Sequence, residues 1–276
     1  MSDHNIAFIG AGNMASSLIH GLISHGYNAQ QIWAVDPDAE KLASLRGRYA
    51  IHTTSNSNEA VSLCGTVVLA VKPQVMQAVC GAISGVMQQH PPLIVSIAAG
   101  ITTAALQQWL GHTTAVIRAM PNTPAAVGSG ATALYATSIT TQAQRDRAET
   151  VMRSVGIALW VESEAQMDAV TALSGSGPAY FFYLMEALEK AGVDLGLPAE
   201  TARLLTLQTG FGATKMALES NDSTAVLRHR VTSPGGTTER AINHFEEMRL
   251  KTIIENGLIA AHARAQELAD SSKGEQ

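Results

Sequence analysis

The chain has 276 residues, more than the roughly 100 to 150 that usually share one core, so two domains are expected. Apolar side chains make up 46% of it and charged ones 15%, and 18 basic against 23 acidic residues leave a net charge of -5, which argues against a nucleic-acid or acidic-membrane surface as partner. The opening MSDHNIAFIG has no basic region ahead of an apolar core, and no apolar run approaches the roughly 20 residues that span a bilayer, so a soluble cytoplasmic protein without a membrane partner is expected.

In chain order, NIAFIG, QIWAVD, TVVLAV, LIVSIA, TAVIRAM, ATALYA and IALWVE are short β-branched runs separated by helix-like stretches. Such alternation predicts βαβ units and a largely parallel sheet, an α/β Rossmann-like domain over residues 1–161. From residue 162 to 276 the β-branched runs stop, and apolar residues at helical spacing predict an all-α second domain. Tyr180, Phe181, Leu184, Met185 and Leu188 form one stripe, and Pro198 marks a helix start. Leu204, Leu205, Leu207, Phe211, Met216 and Leu218 spread apolar character over more than one face, as does the last segment from about Met248 to Leu268. Helices of that kind need partners on two sides, which predicts at least a homodimer built by the helical half.

FIGAGNMA places Gly10, Gly12 and Ala15 in a G-x-G-x-x-A pattern between a strand and a helix. In this setting the first glycine permits a tight turn, the second lets backbone approach a pyrophosphate, and the helix N-terminus faces the phosphate charge. Ile9, Gly10, Ala11, Gly12, Asn13 and Met14 are the candidate contacts. Asp36, about twenty residues on, suits the ribose 2'-hydroxyl and favours NADH over NADPH; alternatively it caps the helix beginning at Pro37, and Arg46 and Arg48 complicate the preference. AVKPQ ends a further strand, so Ala70, Val71, Lys72 and Pro73 lie where cofactors bind in open sheets, although Lys72 also reads as a solvated loop lysine. The small residues of SIAAG at 96–100 either admit a flat nicotinamide or simply pack well.

Cys64 and Cys80 show neither a disulfide framework nor zinc spacing and read as buried apolar side chains; no metal is expected. None of the nine histidines sits in a recognisable relay, and HExxH, GxSxG and Walker-type GK[ST] are absent from the sequence. Chemistry that needs a cofactor and positioning alone fits best, such as reduction of a C=N bond.

RAMPNTPA at 118–125, together with GAGNMA, AVKPQ, SIAAG, LSGSGPAYFF and SPGGTT, closely resembles pyrroline-5-carboxylate reductase, over residues 5 to 268. The resemblance implies NADPH or NADH as cofactor, 1-pyrroline-5-carboxylate as substrate, L-proline as product and a dimer that often assembles as a decamer. It also implies that the loop matching Val231–Thr238 comes from the partner subunit and closes over the nicotinamide. Substrate contacts are then expected from Met120, Asn122, Ser176, Ser233, Gly235, Gly236, Thr237 and Thr238, with the Thr238 hydroxyl catalytic at the ring nitrogen. On physical grounds Pro234 suits a helix start, and Gly235 and Gly236 let backbone N–H groups crowd around a carboxylate; the plain alternative is a helix start capped by Ser233 or Thr232. Ser176–Pro178 resembles a second helix start, and Glu164 matches an acidic residue near the substrate in relatives, or is a solvated carboxylate in a first turn. Two departures stand out. NADPH-using relatives commonly carry a small hydroxyl residue at Asp36, and where relatives often have Asn at the third crossover helix this chain has Ser57 between Asn56 and Asn58.

The same motifs bear on two other readings. A β-hydroxyacid dehydrogenase shares the layout but needs a Lys soon after the glycines of SGSGPAY, and here none comes before Lys190. A dinucleotide sensor without turnover has no use for SPGGTT and MPNTP.

Overall fold

A computed structural model describes residues 2–89 and 91–274. The first half alternates strands and helices: β1 (Ser2–Ile9), α1 (Asn13–Ser24), β2 (Ile32–Val35), α2 (Ala39–Tyr49), β3 (His52–Thr54), α3 (Ser57–Leu63), β4 (Cys64–Leu69), α4 (Pro73–Met87), β5 (Leu93–Ser96), α5 (Thr103–Leu110), β6 (Val116–Met120), β7 (Gly130–Ala136), α6 (Gln142–Arg153) and β8 (Gly156–Trp160). The helical remainder holds α7 (Gln166–Val170), α8 (Gly177–Asp194), α9 (Ala199–Glu219), α10 (Thr224–Arg230), α11 (Thr237–Glu247) and α12 (Leu250–Gly274).

The eight strands form one sheet in the order β3-β2-β1-β4-β5-β6-β7-β8. All pairs from β3 to β6 are parallel, while β7 runs antiparallel to β6 and carries β8 parallel to itself. The expected Rossmann-like sheet is therefore present. It gains one reversal, because only the short ³₁₀ segment Thr123–Val127 lies between β6 and β7 and no crossover helix returns the chain. β3, three residues long with every residue half-buried, lacks the apolar run by which the other strands are recognised.

Every residue of β4 and β5 is buried, as expected of central strands covered on both faces. Phe8, Leu18, Ile19, Ile32 and Ile117 anchor one apolar layer, and Val67, Leu69, Met76, Ile83 and Leu106 the other. Cys64 and Cys80 belong to the second layer as free thiols. Burial pushes both thiols up to about 12.

By compactness the chain forms two units, Met1–Ser176 with Ala261–Gln276, and Gly177–Ala260. In the second unit almost nothing is buried: Gly177 and Ala202 are, whereas Phe181, Leu184, Leu188, Leu204, Leu205, Phe211 and Met216 are exposed. Pro198 stands one residue before α9 as its N-cap rather than inside the first turn. Among the described residues, no helix is long and apolar enough to cross a membrane.

Candidate active site

The strand order places β1 beside β4, where the direction of winding reverses and open sheets bind ligands at the carboxyl ends of strands. The turn after β1 is fastened to both neighbours: Gly10 N–H donates to the Val35 carbonyl at 2.7 Å, and Ala70 N–H to the Ile9 carbonyl at 2.8 Å. Gly10 has φ +99°, and a Cβ there would lie 2.6 Å from the Ala70 oxygen, so only glycine is accommodated. Gly12 differs. It is the N-cap of α1 with no side-chain cap, and the position of its missing Cβ faces open space. The orphan N–H groups of the first turn of α1, at Asn13 and Met14, are therefore open to an anion, and the cradle fits a dinucleotide pyrophosphate.

Asp36, 9% exposed, accepts the Ala11 N–H on Oδ2 at 2.8 Å and the Asp38 N–H on Oδ1 at 3.0 Å. It is not the cap of α2; that role belongs to Asp38, which accepts from the N–H groups of Glu40 and Lys41. Those bonds hold the exposed Asp38 carboxyl below its usual range. Each Asp36 oxygen keeps a second lone pair for a ribose hydroxyl. The nearby cation is Lys41, 3.9 Å from Oδ1, while Arg46 and Arg48 lie in the last turn of α2. Lys72 is the exposed N-cap residue of α4 and Pro73 its first helical residue, and Ala70 and Val71 are half-buried beside them. Asn56 caps α3 through its side chain, which engages that oxygen with Asn58 and Glu59; Ser57 and Asn58 have no such task.

A second cluster joins MPNTP to LSGSG within the first unit. Asn122 Nδ2 donates to the Ser174 carbonyl and hydroxyl at 3.3 Å each, and its Oδ1 accepts the Ala131 N–H at 2.9 Å. Beside it a Cβ on Gly175 would lie 2.5 Å from Met120 Cε. Residues 171–175 form a π turn, closed by Ser176 N–H to the Thr171 carbonyl at 2.9 Å, a distortion that concentrates at functional sites. The helix start expected at Ser176–Pro178 is present, since α8 opens at Gly177 with Pro178 second, and Ser176 just before it ends the π turn.

Nearby, Glu164 is half-buried and not free. Its carboxylate accepts Thr103 N–H at 2.7 Å, Thr103 Oγ1 at 2.6 Å and Arg118 Nη1 at 2.8 Å. Thr103 and Arg118 were missed by sequence reasoning. The signal was present, since a lone Arg inside the buried strand TAVIRAM requires an acidic partner.

In the second unit, Ser233–Gly236 is a turn closed by Gly236 N–H to the Ser233 carbonyl at 3.0 Å, with Pro234 second and Gly235 third at φ +73°. That is type II turn chemistry, so Pro234 serves the turn and lies ahead of the helix. The N-cap of α11 is Gly236, without a side-chain cap; Thr232 Oγ1 donates back to the Arg228 carbonyl. Gly235 N–H donates to Glu239 Oε2 at 2.8 Å. Both glycine N–H groups are thus engaged within the loop. The first ladder bond of α11 runs from Arg240 N–H to the Gly236 carbonyl, which leaves the N–H groups of Thr237, Thr238 and Glu239 outside the ladder.

A family profile described as pyrroline-5-carboxylate reductase dimerisation matches residues 164–268, and one described as NADP oxidoreductase, coenzyme F420-dependent, matches residues 5–100. A pyrroline-5-carboxylate reductase of Pseudomonas aeruginosa is 53% identical over 270 residues, 98% of each chain. The chain belongs to the pyrroline-5-carboxylate reductase family. The reductase of Haemophilus influenzae is 42% identical over 95% of this chain and 97% of its own. Among solved structures, a pyrroline-5-carboxylate reductase from Coxiella burnetii superposes with TM-score 0.93 at 44% identity, covering 96% of this chain and 98% of that one. The pyrroline carboxylate reductase of Plasmodium falciparum, solved with NADP bound, gives 0.85 at 27% identity with the same coverage. The dimerisation profile accounts for the uncovered apolar helices: the second unit of a pyrroline-5-carboxylate reductase is an oligomerisation unit.

Proposed function

We propose that this chain reduces L-1-pyrroline-5-carboxylate to L-proline with NADH or NADPH, as the last step of proline synthesis. The observation that carries the reading is the 53% identity to a named reductase along 98% of the chain, cofactor turn and helical unit alike. When bound, the reduced nicotinamide supplies a hydride to the C=N carbon, and a proton on the ring nitrogen completes the amine.

The rest falls to the chain's own residues. Gly10–Met14 hold the pyrophosphate, Asp36 takes the adenosine ribose, and Ala70–Pro73 line the path toward the nicotinamide. Asp36 favours NADH by repelling a 2'-phosphate, and Lys41 beside it offsets part of that repulsion. The substrate carboxylate meets the first turn of α11, where Thr237 and Thr238 offer backbone N–H groups, with Ser233, Gly235 and Gly236 shaping the approach. That electrostatic preference contributes about 0.3–1 kcal/mol, more when water is excluded. The Thr238 hydroxyl hydrogen-bonds the ring nitrogen and turns the imine carbon toward the cofactor. Met120, Asn122 and Ser176 complete the substrate side, Asn122 by holding its loop.

The same reading places the division between domains near residue 161, draws the 231–238 loop from a partner subunit, and assigns a decamer of five dimers in the cytoplasm. The direct test is product identity: chromatography after incubation with the imine and reduced cofactor should show L-proline formed in step with cofactor oxidised. Oxidation without proline would exclude the assignment.

A further inference from the structure

Resting on that reading, we propose that Glu164 is a positioning residue for the reduction and not a ligand of the substrate. It acts by clamping the segments that follow β5 and β8 onto β6.

All three of its bonds go to groups of its own unit. Thr103, which supplies two of them, opens α5 directly after the small-residue loop 97–102. Arg118, which supplies the third, lies in β6 two residues before Met120 and is buried, its side chain 5% exposed against 24% for Glu164. A guanidinium so deep needs a carboxylate, and carboxylate bonds of 2.6–2.8 Å are charge-assisted. Glu164 also stands at the start of the stretch that ends in the π turn, and that end is held by Asn122 on Ser174. The stretch 164–175 is therefore fixed at both ends to β6 and the loop after it. Two motifs read separately in the sequence, RAMPN and LSGSG, and the start of α5 three residues after SIAAG are thereby held together through one carboxylate and one amide. Displacement of such segments by about 1 Å costs on the order of a hundredfold in rate.

The test compares Glu164→Ala and Glu164→Gln with the unaltered enzyme in turnover, substrate KM, cofactor affinity by fluorescence, thermal melting and hydrogen exchange. The Gln variant keeps the shape: its amide oxygen can accept from the Thr103 N–H and Arg118, while its amide nitrogen donates to the Thr103 hydroxyl in place of accepting from it. We expect kcat to fall about a hundredfold in Ala and about tenfold or less in Gln, with substrate KM and cofactor Kd within about threefold. Exchange should quicken together in peptides covering 97–105 and 164–176 in Ala, with less change in Gln. A rise in KM at unchanged kcat would make Glu164 a substrate ligand and overturn the proposal. A drop in melting temperature with unchanged kcat per folded subunit would reduce it to a structural pair. Should the unaltered enzyme fail to turn over the imine, the functional reading falls with it. Exchange still tests the clamp in that case, because unchanged exchange in Ala refutes it and coupled quickening of both peptides upholds it.

Discussion

The backbone N–H of Ala11, inside the glycine-rich turn, donates to the carboxylate of Asp36 at the end of β2 over 2.8 Å. One buried side chain therefore shapes the glycine-rich turn, and in the proposed reading it also takes the adenosine ribose. A hydrogen bond to a charged group contributes about 1.5–3 kcal/mol, so Asp36→Ala should lower stability as well as change cofactor use, visible as a lower melting temperature. Asp36→Ser, which keeps an acceptor, should move the ratio of kcat/KM values toward NADPH with a smaller loss of stability.

In the proposed reading Lys41 is the counterweight. With its ammonium 3.9 Å from Asp36 Oδ1 and its side chain about half exposed, Lys41→Ala should raise the preference for NADH several-fold and leave melting nearly unchanged. Steady-state constants for both cofactors check this, and an unaltered ratio removes Lys41 from the specificity account.

Thr238 is the second residue of α11, with its N–H outside the ladder and its side chain half-buried. Thr238→Ala removes one positioned hydroxyl, worth about 1–3 kcal/mol, so turnover should drop roughly tenfold to a hundredfold while cofactor affinity holds. Thr238→Ser should recover much of the rate. Equal rates for all three would place the chemistry elsewhere.

Cys64 and Cys80 are buried thiols held up to about 12. Only the thiolate alkylates readily, so neither should react with iodoacetamide at pH 8 until the protein unfolds. The sign of the stability effect follows from the raised value. In the unfolded chain these thiols ionise near their ordinary value of 9.0, whereas the folded thiols stay protonated, so their contribution is complete below about pH 9 and is lost as pH rises toward 12.

The exposed rows on α8 and α9 predict an obligate oligomer. Sedimentation at micromolar concentration should show a dimer or larger, and Leu205→Glu with Phe211→Glu should weaken it, since each buried side chain of this size contributes about 1.5–3 kcal/mol. A stable folded monomer of the unaltered chain would contradict this.

What was legible in the sequence had local causes. The glycine turn, the buried strands and the two-faced apolar helices each follow from a period or a backbone requirement confined to a few residues. The rest depended on partners far apart in the chain. Asp36 and Ala11 are 25 positions apart, and Glu164 and Thr103 are 61 apart. Three-residue β3 had too little apolar character to be seen, and the reversal at β7 depended on a missing crossover helix. At the α11 loop, proline and glycine build the turn, and the following threonines keep the open N–H groups.

The reductase assignment is tested most directly by following absorbance at 340 nm, the reduced-nicotinamide band, with 1-pyrroline-5-carboxylate added to enzyme and either NADH or NADPH. The account predicts substrate-dependent oxidation with both, faster per unit concentration with NADH because of Asp36. Binding of either cofactor without any imine-dependent oxidation would contradict it.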